Sequence, residues 1–347
     1  MDAARHSDPL RSAMTAKQTS KNPLCKMPPR TRDTQGNTRC VGVEVEMGEL
    51  SPLSIARVLQ QTVGGDITLQ QGLCYGLVDT DLGDFFIELD AKPIQDTVSR
   101  LRRLELPAVI DADPAGLITD LAEQLVPWEL VSPPLPLDQL DAFNNLLAKL
   151  RGAGAKGTRY ASRFAFGLHL NPDVPGLDVD TLLRYFRAYL CLHDGICARE
   201  DIDWSRRLMP HIRHFSDAYI AKVIEPDYAP TLDQFMDDYL EANPTRNRSL
   251  DLLPLFAHLD PDRVARGVDD ERVKARPAFH FRLPNCDIDN PAWGLHTPWH
   301  EWLAVEFLAE DEKRLEQMCL AYRRELQRFG HSLDQRWQQI ARQSLLQ

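Results

Sequence analysis

The chain has 347 residues, 43% of them hydrophobic and 26% charged, with a net charge of −11, the profile of a globular protein with room for a sizeable core. Its seven scattered cysteines form no C-x-x-C pair, which points to neither a disulfide framework nor a zinc knuckle and makes a reducing cytoplasm the expected location. No apolar run approaches the roughly 20 residues a membrane span requires, and the acidic body opposes a nucleic-acid backbone, so neither a membrane nor a nucleic acid is expected as partner.

Residues 1–38 carry most of the basic excess: the first 39 residues have a net charge of +5, leaving −16 for the rest. Without hydrophobic periodicity they read as a disordered basic leader; an organelle-targeting peptide is disfavoured by Asp2, Asp8 and Asp33. A strand over Val41–Glu46 comes next, then a helix over Leu53–Val63 that Ser51-Pro52 starts and Gly64-Gly65 stops. A strand over Leu73–Val78, a turn at Thr80–Gly83 and a strand over Asp84–Asp90 read as a hairpin. Helices are expected near Ile94–Leu104 and Asp113–Leu125, and a strand at Trp128–Val131 that the prolines at 133 and 134 terminate. A helix over Leu137–Leu150 and a glycine-rich turn lead to a strand over Phe164–Asn171. Helices at Asp178–His193, Leu232–Glu241 and Ser249–Leu259, a strand at Ala278–Leu283 and one long helix from Trp299 to Phe329 complete the chain. The elements are interleaved, which predicts a single α+β domain over 39–347 with a mostly antiparallel sheet and helices on its greasy side.

The five strand segments share a parity. Side chains at i and i+2 lie on one face of a strand, so Glu44 and Glu46 oppose Val43 and Val45. Asp84, Glu88 and Asp90 likewise oppose Phe85, Ile87 and Leu89, His169 and Asn171 oppose Leu168 and Leu170, and His280 and Arg282 oppose Phe279 and Phe281. If one sheet holds them, its polar face is a floor of carboxylates and imidazoles, a donor set suited to Mg²⁺ or Mn²⁺. Glu44 and Glu46 stand roughly 7 Å apart along their strand, far enough for each to hold a different ion, with Glu88, Glu129 and His169 as further ligands. A plain solvent-facing sheet surface is the competing explanation, but Lys and Thr are nearly absent there.

Arg246, Arg248 and Arg282 are candidates to clamp phosphate or carboxylate oxygens. The segment Gly152–Thr158 has a phosphate loop's composition in the wrong order, with Lys156 before a glycine and a helix before the loop; it reads as a connection that brings Lys156 near a ligand. His211/His214 and His296/His300 lack a third ligand nearby. The absence of G-x-S-x-G, H-E-x-x-H and G-x-G-x-x-G removes support for triad hydrolases and dinucleotide enzymes.

The segments Val41–Glu46, Leu82–Asp90, Glu129–Leu135, Phe166–Asn171, Asn243–Arg248 and Phe279–Asn285 together resemble the amidoligase family, a branch of the carboxylate-amine ligases that include glutamine synthetase and γ-glutamylcysteine ligase. The resemblance spans about residues 39–307. It implies a curved antiparallel sheet with helices on its convex face, holding ATP and two or three Mg²⁺ ions. Residue by residue it makes Glu44, Glu46, Glu88, Glu129 and His169 metal ligands and matches Arg282 to an arginine two positions after a metal-binding glutamate of glutamine synthetase. From the residues themselves Arg282 and Arg246 are expected to clamp the phosphoryl group, with Asn171, Arg248 and Lys156 toward the nucleotide. His280 stands where glutamine synthetase has a glutamate, so one ligand would be neutral. The implied reaction is phosphorylation of a carboxylate to an acyl phosphate and displacement of phosphate by an amine, the carboxylate and amine being metabolites or peptide ends and Asp84 or Asp90 a base for the amine. A metal-dependent phosphohydrolase or nuclease and a non-catalytic nucleotide- or peptide-binding module are the alternatives. Oligomeric state stays open.

Overall fold

A computed structural model of the chain describes residues 23–70, 74–89, 127–158, 166–200, 212–329 and 335–345. Strand β1 (Cys40–Met47) is the axis of the sheet, and its alternation holds: Val41, Val43 and Val45 are buried while Glu44 faces the opposite side. Antiparallel partners flank it, β5 (Trp128–Val131) with Glu46 opposite Glu129, and β7 (Leu168–Pro172) with Glu44 opposite His169. Beyond β5 lie β4 (Phe85–Leu89), β3 (Tyr75–Val78) and β2 (Asp66–Leu69); beyond β7 lie β9 (His280–Phe281) and β8 (Leu250–Asp251), while the short β6 (Leu135–Pro136) pairs with the start of β1. Among the described residues this gives one open nine-stranded antiparallel sheet with ten helices, an α+β fold.

The helices are α1 (Pro52–Val63), α2 (Leu140–Gly152), α3 (Val179–Arg199), α4 (Asp217–Val223), α5 (Leu232–Ala242), α6 (Leu253–Leu259), α7 (Pro261–Gly267), α8 (His296–Glu310), α9 (Glu312–Phe329) and α10 (Gln335–Ser344). Their starts follow capping chemistry: Ser51 accepts from Ser54 N ahead of Pro52 in α1, and Asp178 from Thr181 N at α3. The apolar face of the sheet is closed by ring packing. Phe85 stacks on Phe143 of α2, and Phe281 lies between Tyr189 of α3 and Trp302 of α8, with centroids at 5.8 and 5.6 Å. Covering one face with helices leaves the other for polar groups, the division the parity requires.

Several expectations change. The terminal helix is two helices, α8 and α9, broken at Asp311, whose carboxylate caps the second by accepting from Arg314 N, because an acidic cap competes with helix continuation; α10 follows. Ser249–Leu259 is not all helix: Leu250–Asp251 pairs with β9 and the helix starts at Leu253. Strand β2 was not expected. Of the leader, residues 23–38 are attached to the body: Leu24 N and Cys25 N donate to Asp141, and Trp299 Nε1 to the Lys26 carbonyl. Partners more than a hundred residues away cannot be read from local composition. Residues 1–22, the expected helices at Ile94–Leu104 and Asp113–Leu125, and Asp90 lie outside the described residues. No helix among the described residues is long and apolar enough to cross a membrane.

Candidate metal and anion site

The register stacks the polar residues in rows across the strands. Glu88, Glu129 and Glu46 stand side by side on β4, β5 and β1. One row on, Glu44 faces His169; the pairing of Leu170 with Phe281 then brings β9 alongside, and Asp251 of β8 faces His280.

His169 is the centre of the site. Its Nδ1 lies 2.8 Å from Glu44 Oε2 and 3.8 Å from Glu129 Oε1, and its Nε2 3.8 Å from Glu46 Oε1. Glu46 is itself oriented by the Gly167 amide, which donates to its Oε2 at 2.6 Å. His280 Nε2 lies 3.5 Å from Glu44 Oε2, with the two imidazoles edge to face at 5.4 Å. Two three-residue groups result, Glu44–His169–His280 and Glu46–Glu129–His169, each with candidate ligand atoms within 4.8 Å of one another. His169 belongs to both.

These residues fit a cation. His169 Nε2 is buried and makes no hydrogen bond, although buried polar atoms almost always do, and buried His280 Nε2 has only the long 3.5 Å approach to Glu44 Oε2. With the Nδ1 proton assigned to the short contact with Glu44, His169 turns an imidazole lone pair toward the Glu46 carboxylate, an arrangement that a cation between them makes favourable. Burial opposes the charge on Glu44, but His280 and His169 outweigh it and hold its carboxyl well below the usual range. Burial, and then the Arg282 charge, hold His280 well below the usual imidazole range. A carboxylate beside a neutral imidazole is the protonation pattern ligation needs.

An anion-attracting group adjoins the floor. Arg282, buried, donates to Asp251 Oδ2 at 3.0 Å. Arg276 donates to Asn171 Oδ1 at 2.6 Å and lies 3.2 Å from His280 Nδ1 and 3.8 Å from Glu44 Oε1. Arg246 feels the charges of Arg282 and Asp251. Burial lowers the pKa of Arg246 and Arg276 and raises that of Asp251 against the pull of Arg282. The Nε atoms of Arg246 and Arg276 are buried without a hydrogen bond. The guanidiniums of Arg246, Arg276 and Arg282, beside Asp251 and Glu44, form a cationic group suited to phosphate or carboxylate oxygens.

The chain matches, over residues 37–304, the family described as Putative amidoligase enzyme. It belongs to that family. No match was found among curated proteins or solved structures.

Of the residues singled out in the amidoligase sequence, Glu44, Glu46, Glu129, His169 and His280 converge, Asn171 joins them by donating to Glu44 Oε1 at 3.0 Å, and Arg282 and Arg246 lie in the adjoining cationic group. Glu88 stands next to Glu129 but is in neither three-residue group. Arg248 is turned to its own loop, with Nε donating to Asn243 Oδ1 at 2.7 Å and the guanidinium 5.8 Å from the Phe215 ring centroid; a buried amide and an aromatic face satisfy it away from the floor. Lys156 bridges Gly48 through its backbone, two residues past Glu46. Asp84 accepts from Asp79 N in the hairpin turn, four residues and roughly 13 Å along β4 from Glu88. Sequence reading missed Arg276 and Asp251. Asp251 was concealed by the helical spacing of the leucines after it, though Ser249–Leu252 alternates polar and apolar; Arg276 lies in an irregular loop where parity carries no information.

Proposed function

We propose that this amidoligase-family chain is an ATP-dependent ligase that joins a carboxylate to an amine through an acyl phosphate, using Mg²⁺ or Mn²⁺. The observation that carries the reading is the pairing of two ligand groups through His169 with a guanidinium cluster beside them, since phosphoryl transfer needs divalent cations and fixed positive charge more than a nucleophilic side chain. Bound ions would neutralise phosphate oxygens of ATP. Glu46, Glu129 and His169 Nε2 would hold one, and Glu44 and His280 another, with the His169 Nδ1–H bond orienting Glu44. Asp251 Oδ2, 3.9 Å from His280 Nδ1, is placed to take the Nδ1 proton once Arg276 turns to an anion, the carboxylate–histidine arrangement that orients a ligating imidazole.

In this reading Arg246, Arg276 and Arg282 hold the transferred phosphoryl group and the substrate carboxylate in line, and Asn171 keeps Glu44 and Arg276 in register. Glu88, at the outer end of the carboxylate row, is better placed than Asp84 to attract an ammonium and take its proton before attack. The substrates would be small-molecule or peptide carboxylates and amines, met in the cytoplasm without a nucleic-acid or membrane partner, and the sheet would be the funnel of a glutamine synthetase-like fold with helices on its convex face.

The test is ADP release from ATP with pooled carboxylates and amines in Mg²⁺ or Mn²⁺. Amine-dependent turnover that falls at least ~100-fold in Glu44→Ala/Glu46→Ala is expected. Turnover retained in that variant refutes the metal assignment, amine-independent phosphate release identifies a phosphohydrolase, and Mg-ATP binding without turnover under amine saturation identifies a sensor.

A further inference from the structure

We propose that Cys191 and Cys319 are an oxidation site, a thiol pair that a hydroperoxide converts into a disulfide stapling α9 to α3. Their sulfurs lie 3.8 Å apart across the contact between the two helices, van der Waals contact from which small side-chain rotations bring them to bonding distance. Cys319 lines a surface cleft of about 250 Å³ with Arg184, Arg187 and Glu316, so a small oxidant reaches it, while Cys191 is fully buried behind it.

The charge at the pair favours the chemistry. Arg187 donates to the carbonyls of Val223, Glu225 and Tyr228, at 2.7, 3.0 and 2.8 Å. These partners are dipoles and do not neutralise its charge, which acts on the sulfurs against the opposing carboxylate of Glu316. The hydrogen bond between the two sulfurs and then the Arg187 charge, acting against burial, favour one thiolate within the pair. Because Cys319 borders the cleft and Cys191 is fully buried behind it, Cys319 is the sulfur the oxidant meets first and Cys191 the resolving thiol. The Cys319 thiolate attacks the hydroperoxide, its S–O bond forming as the O–O bond breaks and the departing alkoxide or hydroxide taking a proton. Cys191 sulfur then displaces the sulfenic oxygen, which leaves as water with the Cys191 proton. In total two thiols and one hydroperoxide give a disulfide, an alcohol or water, and water.

The staple would act outside the matched segment. Residues 305–347, which include α9 and α10, lie beyond the family match. α10 closes on α3 at Gly195, where a Cβ would come within 2.7 Å of the Ala341–Arg342 backbone. Helix α3 in turn backs the strand that carries His280, through Tyr185 on Phe279 and Tyr189 on Phe281. The proposal does not depend on the reaction at the acidic floor.

The experiment treats reduced full-length protein with hydrogen peroxide, blocks remaining thiols with N-ethylmaleimide and maps cross-linked peptides by mass. A Cys191–Cys319 peptide lighter by two hydrogens is expected, with a rise in Tm of about 5 °C or more that dithiothreitol reverses; in Cys191→Ser, Cys319 should stop at a sulfenic acid that dimedone traps. The proposal is overturned if both thiols stay alkylatable under conditions that oxidise the half-buried Cys40 and Cys74, or if the cross-links join other pairs.

Discussion

His169 holds one ring between two acidic groups, and its position predicts unequal effects of two similar substitutions. His169→Ala should lower Mn²⁺ affinity at both groups by at least ~10-fold, at one by removing the Nε2 ligand and at the other by removing the donor that orients Glu44, whereas His280→Ala should affect one; calorimetric stoichiometry with Mn²⁺ alone distinguishes the two, and an effect confined to a single site in His169→Ala would contradict the shared role. A second residue-scale effect is electrostatic. Glu301 is buried, 3.1 Å from Arg199, and burial raises its carboxyl from 4.5 to about 7. Between those values the unfolded chain has released the proton and the folded chain retains it. This contribution to stability is therefore full below pH 4.5 and lost as pH rises to about 7. On the order of 2–3 kcal/mol is involved. Urea unfolding from pH 4 to 8 should show that slope, and Glu301→Gln should flatten it.

At the scale of elements, the Gly152–Thr158 segment illustrates a composition that resembles one function and performs another. Gly157 is where the connection from α2 passes the chain beyond β9: a Cβ there would lie 2.0 Å from the Cys286 carbonyl oxygen, and Thr158 N donates to that same oxygen at 2.8 Å. Its glycine serves close backbone approach, not a phosphate. Gly157→Ala should destabilise the fold by about 2–4 kcal/mol, read as a shifted urea midpoint, while Gly152→Ala, with nothing within 4 Å, should not destabilise it. An equal response of the two would remove the packing explanation.

Across the whole molecule, the first residue before the sheet is tied to the C-terminal half by a buried ion pair. Arg39 Nη1 and Nη2 donate to Glu306 Oε2 and Oε1 at 2.8 and 2.6 Å, and Trp302 Nε1 donates to the same carboxylate at 2.7 Å. Removing one partner leaves the other charge buried, so Glu306→Ala should cost about 3–5 kcal/mol, while Arg39→Met/Glu306→Leu should recover much of the loss. Denaturation of the single and double variants checks this; equal losses would mean that the charge is solvated in the variant. The tie also explains why residues 23–38 are held to the body.

The sequence by itself determined which face of each strand is apolar and which carboxylates and imidazoles share the other, because a period of two depends only on covalent geometry and local backbone shape. It therefore made Glu44, Glu46, Glu129, His169 and His280 legible as one floor, and the order of their motifs made the family legible too. It favoured Arg246 over Arg248 for the phosphoryl group but could not show why residues two apart differ, because the fate of Arg248 depends on Asn243 and Phe215. Nor could it show Arg276 or Asp251. Only the tertiary structure decided these, along with the break at Asp311 and the docking of residues 23–38, since each depends on partners distant in sequence whose approach is fixed by strand register and helix packing.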